Sequence, residues 1–402
     1  MARRKNGEGT WGEKIINGIP YQYHRDSNGR YFYGKTIADV KKKIANSKED
    51  SAKKISADVA NIKKQTFGEY ITNWLLGVKY LTIKRNTLDG YENCINGQII
   101  NYEYNDLTDV QVGTLTGDML QEYITSLKDY YTKGSIKKIY AIISQCIKYG
   151  NKREHFQEFI DLDDINLPND DIITKPKKEI HFLTNDDMKL LYKEAMRINT
   201  EELNLGGKIG ELSYGNNANL LMFILYTGLR ISEAIELTWE DVHTKTENPR
   251  IDVNKTAAVV KTRDGSKNKY EKIKSTTKTY SGNRSVPLNK TALKIINIEH
   301  NMHPKHKPSD YVFLNKCDEK IDRHKASRTL TCMMKRAGCS IDTCTPHELR
   351  HSFGSALLRN GIDIKVISKL LGHKDITVTY NIYMHILEEQ KIDATTSIDL
   401  PE

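Results

Sequence analysis

Apolar positions recur at helical spacing through Tyr70, Ile71, Trp74 and Leu75, behind a capping signature in Thr66-Phe67-Gly68-Glu69. The same period predicts helices over residues 85–96, 116–127 and 135–149, together an all-helical unit of roughly 100 residues. Upstream the period changes. Lys14-Ile15-Ile16-Asn17-Gly18-Ile19-Pro20-Tyr21-Gln22-Tyr23-His24 reads as two strands about an Asn-Gly turn, and Asp26-Ser27-Asn28-Gly29 returns the chain into Arg30-Tyr31-Phe32-Tyr33. Thr36-Ile37-Ala38-Asp39 then opens a helix with Lys41, Lys42 and Lys43 exposed, and the polar stretch 46–64 continues as a linker helix or tether.

Two prolines and mixed charge between Leu167-Pro168 and Pro176-Lys177-Lys178 mark a linker, after which Leu183-Thr184-Asn185-Asp186-Asp187 caps the first helix of a third domain. The expected organisation is a small three-stranded sheet with a helix over 1–64, a helical domain over 65–167, a linker over 168–182, and a last domain over 183–402. The fold class is α+β, mainly helical, with a small antiparallel sheet in the last domain.

Composition narrows the class. The 402 residues are 38% hydrophobic and 28% charged, with a mean hydropathy of −0.60, which indicates a folded, water-facing chain. The longest apolar run, 220–229, is interrupted by Tyr226, Thr227 and Gly228 and is too short to span a bilayer. No apolar stretch follows Met1, so no secretory signal is expected. Six cysteines without a C-x-x-C pair read as reduced thiols, and the expected location is the cytoplasm. The net charge of +9 is concentrated in residues 1–65, which hold 15 Lys+Arg against 7 Asp+Glu. Such a basic arm on a nearly neutral body suits a phosphate-bearing partner. Tyr21, Tyr23, Arg25, Arg30, Tyr31 and Tyr33 alternate along a ribbon that fits a DNA major groove. Lys84 and Arg85, at the start of a helix, are further candidate DNA contacts.

Candidate chemistry lies in four landmarks of the last domain. The first is Thr227-Gly228-Leu229-Arg230-Ile231-Ser232-Glu233, where an apolar helix stops and an arginine begins the next. The second, Thr276-Thr277-Lys278-Thr279-Tyr280-Ser281-Gly282-Asn283-Arg284-Ser285-Val286-Pro287-Leu288, reads as a hairpin with Lys278 entering it. The third is Thr345-Pro346-His347-Glu348-Leu349-Arg350-His351. The fourth is Leu370-Leu371-Gly372-His373, followed ten residues on by Tyr383 in Asn381-Ile382-Tyr383-Met384-His385. Singly each is weak; their order and spacing form the signal.

In these strings the sequence resembles the tyrosine recombinase (phage integrase) family, and within it the integrases of conjugative transposons and temperate phages. The catalytic resemblance covers about residues 183–387. It implies an active site of Arg230, Lys278, His347, Arg350, His373 and the nucleophile Tyr383, with Glu233 holding Arg230. It further implies site-specific cutting and rejoining of double-stranded DNA through a 3′-phosphotyrosine, with no cofactor, on core-type and arm-type sites. A homotetramer on DNA, an accessory excision protein and a bacterial, nucleoid-associated location complete the picture. Tyr380, three residues before Tyr383, is expected to pack against the helix.

Elementary chemistry suits these residue types. Phosphodiester cleavage loads negative charge onto two non-bridging oxygens, and two guanidinium forks can clamp them as point charges cannot. A phenol that captures the phosphate stores the bond energy, so rejoining needs no ATP. His347 and His373 suit proton movement and phosphate hydrogen bonds, and Lys278 can protonate the departing oxygen. His347-Glu348-Leu349-Arg350-His351 also matches the H-E-x-x-H zinc-protease string. However, Thr345-Pro346-His347-Glu348 is a capping box with proline at the first helical position, and Leu357 stands where a third histidine ligand would be required. A catalytically silent DNA-binding regulator of the same fold is the other alternative.

Overall fold

The computed structural model describes residues 9–16, 19–27, 29–175, 180–204, 215–263, 270–276, 282–315 and 317–396. The chain divides into two compact units, Met1–Lys177 and Lys178–Glu402.

In the first unit, strands β1 (Thr10–Ile16), β2 (Ile19–Arg25) and β3 (Tyr31–Gly34) form an antiparallel meander. Ile16 pairs with Ile19, so two residues connect β1 to β2; Asn17 and Gly18 themselves lie outside the described residues. Helix α1 (Ile37–Lys64) packs on β2 and β3. It begins with the Thr36–Asp39 capping box and runs unbroken through the polar stretch, where no Gly or Pro interrupts it. The Thr66–Glu69 capping box then opens α2 (Phe67–Gly77), followed by α3 (Arg85–Cys94), α4 (Gly117–Ser126) and α5 (Lys133–Asn151). Their core includes fully buried Phe67, Ile71, Tyr123, Ile139 and Ile143. The start of the expected linker docks here: Lys133 Nζ lies 2.9 Å from Asp170, the Thr174 N–H donates to the Lys128 carbonyl at 3.2 Å, and Ile173 joins the core.

The second unit contains α6 (Asn185–Asn204), α7 (Gly215–Thr227), α8 (Ile231–Ala234), strands β4 (Val242–His243), β5 (Arg250–Val253), β6 (Lys255–Lys261), β7 (Tyr270–Thr276) and β8 (Arg284–Pro287), and helices α9 (Lys290–Met302), α10 (Arg323–Ala337), α11 (Pro346–Arg359), α12 (Ile364–Leu371) and α13 (Ile376–Thr396). Helix α7 is the central post: Leu220 through Leu225 are fully buried, and α6, α9, α10 and α11 pack around it. A helix apolar on all sides can only be a core helix here, which explains the run read from the sequence.

The string that carries Lys278 runs between two sheets, and its residues 277–281 lie outside the described residues. Strand β7 pairs with β6, from Lys255↔Thr276 to Lys261↔Tyr270, while β8 pairs with β5. Strands β7 and β8, on either side of that string, thus belong to different sheets, β6-β7 and β4-β5-β8.

Candidate active site

Four landmark strings meet at the end of α12. Gly372 closes that helix in the left-handed conformation, φ 66°. The carbonyls of Leu370, Leu371 and Gly372 each face a guanidinium. Arg284 Nε donates to Leu370 at 2.7 Å, Arg350 Nη2 donates to Leu371, and Arg230 Nη2 donates to Gly372 at 3.2 Å. The carbonyl end of a helix carries partial negative charge, so it holds cations.

Arg230 is the residue before α8, delivered by the turn that ends α7. Gly228 makes that turn with φ 69°, and a methyl there would fall 2.5 Å from Phe353, so glycine is required on both counts. Arg230 Nη1 donates to Glu233 Oε1 at 2.7 Å and its backbone N–H to Oε2 at 3.0 Å. Glu233 therefore holds Arg230, and Arg284 donates to the same carboxylate at 2.8 and 3.3 Å. Burial pushes the Glu233 carboxyl up, but the Arg284 and Arg230 charges outweigh it and hold the pKa at about 2.

Arg350 is fully buried on α11. Its Nη1 donates to the Gly228 carbonyl at 2.8 Å, and its Nε has no hydrogen-bond partner among the described residues. Burial, together with neighbouring Arg230, pushes its pKa down to about 9. His347 stands in the first turn of α11, which the Thr345–Glu348 capping box and Pro346 fix as predicted. Its ring meets His351 edge-on at 4.5 Å. Partial burial, then the Arg350 and Arg230 charges, lower its pKa. Half-buried His373 shows the same effect more strongly: burial and the two guanidiniums take it down to about 3, and its Nδ1 sits 2.7 Å from Thr379 Oγ1.

Tyr383 is fully buried on α13, with Phe182 at 6.1 Å between ring centroids, and its hydroxyl donates to the His351 carbonyl at 3.2 Å. It rests on Gly354, where a methyl would come within 2.0 Å of the hydroxyl. Burial raises the phenol pKa, opposed by the Arg350 charge. Tyr380, expected to pack against the helix, is instead 42% exposed, because the inward face of α13 is taken by Thr379 and Tyr383.

The structure thus brings Arg230, Glu233, His347, Arg350, His373 and Tyr383 together; Lys278 lies outside the described residues. In the first unit, Tyr23, Tyr31 and Tyr33 cluster with centroids 5.6–5.9 Å apart, and the Arg25 guanidinium lies 5.5 Å from the Tyr31 ring. Tyr21 shares the alternation of Tyr23 and Arg25 along β2, Arg30 precedes β3, and Lys84 and Arg85 are exposed at the start of α3. Glu348 fits no zinc-protease base: one carboxylate oxygen accepts from the Thr345 N–H at 2.7 Å and the other from the His181 N–H at 3.4 Å. Among the described residues no group of three or more His, Cys, Asp or Glu side chains could hold a metal ion.

Arg284, Thr379 and Gly354 complete the site and were not singled out in the sequence. Arg284 and Gly354 lie inside or beside motif strings, yet only their distant partners distinguish them from ordinary positions.

Residues 181–390 match the model of the phage integrase family. The chain is 24% identical over 391 residues to a XerC-like tyrosine recombinase of Caldanaerobacter subterraneus subsp. tengcongensis, covering 93% of each protein. It is 25% identical over 361 residues to the integrase of Staphylococcus phage L54a, covering 83% of this chain and 94% of that one. Among solved structures, the Tn1549 transposon integrase in complex with circular intermediate DNA has a similar fold (TM-score 0.59, 17% identity, 79% of this chain and 95% of that chain). So does a lambda integrase dimer bound to a core site (TM-score 0.52, 17% identity, 95% and 96%). No described helix is long and apolar enough to cross a membrane.

Proposed function

Because this chain belongs to the phage integrase family of tyrosine recombinases, enzymes that cut and rejoin DNA at specific sites, we propose that Tyr383 is its nucleophile and that Arg230, Arg350, His347 and His373 form the phosphate site. One observation carries the reading. Two guanidiniums are tethered to the adjacent carbonyls of Leu371 and Gly372, and Arg350 beside Tyr383 keeps a buried Nε–H with no partner among the described residues. A buried, unpaired donor on a cation is costly unless an anion takes it, and a DNA phosphate is such an anion.

The chemistry follows from the positions. The scissile phosphate accepts from Arg230 and Arg350, whose forks match its non-bridging oxygens. Tyr383 leaves the His351 carbonyl and its oxygen forms a bond to phosphorus while the bond to the 5′-oxygen breaks. The phenol proton passes to His347, which its surroundings keep neutral and able to accept. His373 donates to a phosphate oxygen, and Lys278 supplies the proton to the departing 5′-oxygen. The reverse sequence rejoins a strand with no outside energy source. Glu233 acts through Arg230.

The remaining assignments belong to the same proposal. The three-stranded sheet would read arm-type sites, and the helical and last domains would hold core-type sites. A tetramer would exchange strands to integrate or excise a mobile element, with an accessory protein biasing excision, in the cytoplasm at the nucleoid.

A nicked suicide DNA site, from which the cleaved strand diffuses away, tests the core of the reading. Wild-type protein should form a protein–DNA band stable in SDS, and Tyr383→Phe should form none. A band that persists in Tyr383→Phe would overturn the nucleophile. A protein that binds sites tightly yet never forms the adduct would be the silent regulator.

A further inference from the structure

We propose that Thr379 is a positioning residue that sets the tautomer of His373, leaving the proton on Nε2 to face the phosphate. The inference rests on the roles given above to His373 and Tyr383. Thr379 is fully buried, and among the described residues His373 Nδ1, at 2.7 Å, is the partner of its hydroxyl. A buried hydroxyl proton requires an acceptor, so this O–H donates to Nδ1. A neutral imidazole that accepts at Nδ1 carries its hydrogen at Nε2. The ring is neutral at ordinary pH, held so by burial and by Arg350 and Arg230. In this tautomer it offers an anion a donor. In the other it would present a lone pair, which repels the developing charge.

The placement of Thr379 adds a second consequence. Thr379 and Tyr383 are four residues apart on α13 and both are fully buried, so they share one face of that helix. His373 belongs to a different segment, the turn after α12, where its backbone N–H donates to the Ser368 carbonyl at 3.0 Å. The helix that delivers the phenol therefore also delivers the hydroxyl that orients the histidine. When α13 seats, nucleophile and phosphate donor are set together.

Full-length wild type, Thr379→Val, Thr379→Ser and Tyr383→Phe are compared in single-turnover cleavage of the suicide site, with DNA affinity measured in parallel. Valine keeps the shape and removes the hydroxyl; serine keeps the hydroxyl. Thr379→Val should slow cleavage about tenfold or more, the size of effect seen when the partner orienting a metal-ligating histidine is lost, with affinity unchanged. Thr379→Ser should restore the rate. Long-range proton–nitrogen correlation spectra of histidine-labelled wild type, with His373 identified through His373→Gln, should show the Nε2–H pattern. Wild-type cleavage by Thr379→Val, or equal impairment of the Val and Ser variants, would overturn the role of the hydroxyl. An Nδ1–H pattern on His373 would overturn it even if the valine variant folds poorly. An adduct in Tyr383→Phe would instead overturn the underlying assignment of the nucleophile.

Discussion

Arg284 commits its donors to the protein itself. Nε is bound to the Leu370 carbonyl, and both terminal nitrogens reach Glu233, one of them also facing the Gly282 carbonyl at 3.3 Å. It thus has a different task from Arg350, whose Nε is unpartnered among the described residues. Arg284 neutralises the buried carboxylate that aims Arg230. Replacing it with Met leaves Glu233 compensated by Arg230 alone, and denaturant titration should show a loss of about 3 kcal/mol, the low end for breaking a buried ion pair. Suicide-site cleavage should fall with it, and Arg284→Lys should rescue it poorly, since one ammonium cannot span both carboxylate oxygens and a carbonyl. A lysine variant of wild-type rate and stability would show the fork to be dispensable. The contrast with His347 explains what a sequence reveals at this scale. His347 announces itself through its own neighbours, a threonine cap, a proline and a glutamate that fix the helix start. Arg284 and Thr379 have local surroundings like any strand or helix start. Glu233 is 51 residues before Arg284, and the Leu370 carbonyl is 86 after it, so no local pattern marks the arginine.

Among the elements, helix starts were legible because their caps are local. Thr36–Asp39, Thr66–Glu69 and Thr345–Glu348 all form the reciprocal bonds their spacing implies. Strand partners were legible where two residues join β1 to β2, and not where a strand finds its partner beyond two intervening strands, as β5 does with β8. Hence β7 and β8 part into separate sheets. Helix packing also hides a titrating group. Glu299 on α9 is fully buried, accepts from Asn219 Nδ2 of α7 at 2.6 Å, and among the described residues has no partner at its second oxygen, Oε2. Burial therefore pushes its carboxyl up to about 8, with the Asn219 bond opposing. A carboxyl raised in the folded state favours the protonated form. Its contribution is thus full below its unfolded pKa of roughly 4.3 and is lost as pH rises through about 8. Glu299→Gln keeps the acceptor for Asn219 without the charge. Its melting temperature should exceed that of wild type at pH 8 and converge with it at about pH 4, below the unfolded pKa. Parallel melting curves for the two proteins across that range would show that Glu299 does not titrate in the fold.

For the whole molecule, the distribution of charge makes a prediction about DNA binding. Residues 1–65 carry an excess of eight positive charges out of a total of nine, on the segment whose sheet displays Tyr23, Arg25, Tyr31 and Tyr33. The other face of that sheet is covered, since α1 packs on β2 and β3 and Val40 is fully buried there. One side therefore serves as core and the opposite side is left for a ligand. An aromatic and guanidinium face suits DNA on two counts, as cations meet phosphates while flat rings meet sugars and base edges. Each phosphate contact releases counterions, so the logarithm of affinity falls with the logarithm of salt concentration by about 0.9 per contact. Arg25→Gln and Arg30→Gln together should reduce the slope of full-length protein by about 2, if each arginine meets one phosphate. The measurement is a binding titration over several salt concentrations, on DNA carrying arm-type sites and on DNA carrying core sites alone. The change should appear on the first and not on the second, because core sites are proposed to be held at the catalytic cluster, through Arg230 and Arg350. An equal change on both DNAs would make the basic segment a general electrostatic anchor, and an unchanged slope on both would remove the ribbon from the interface altogether.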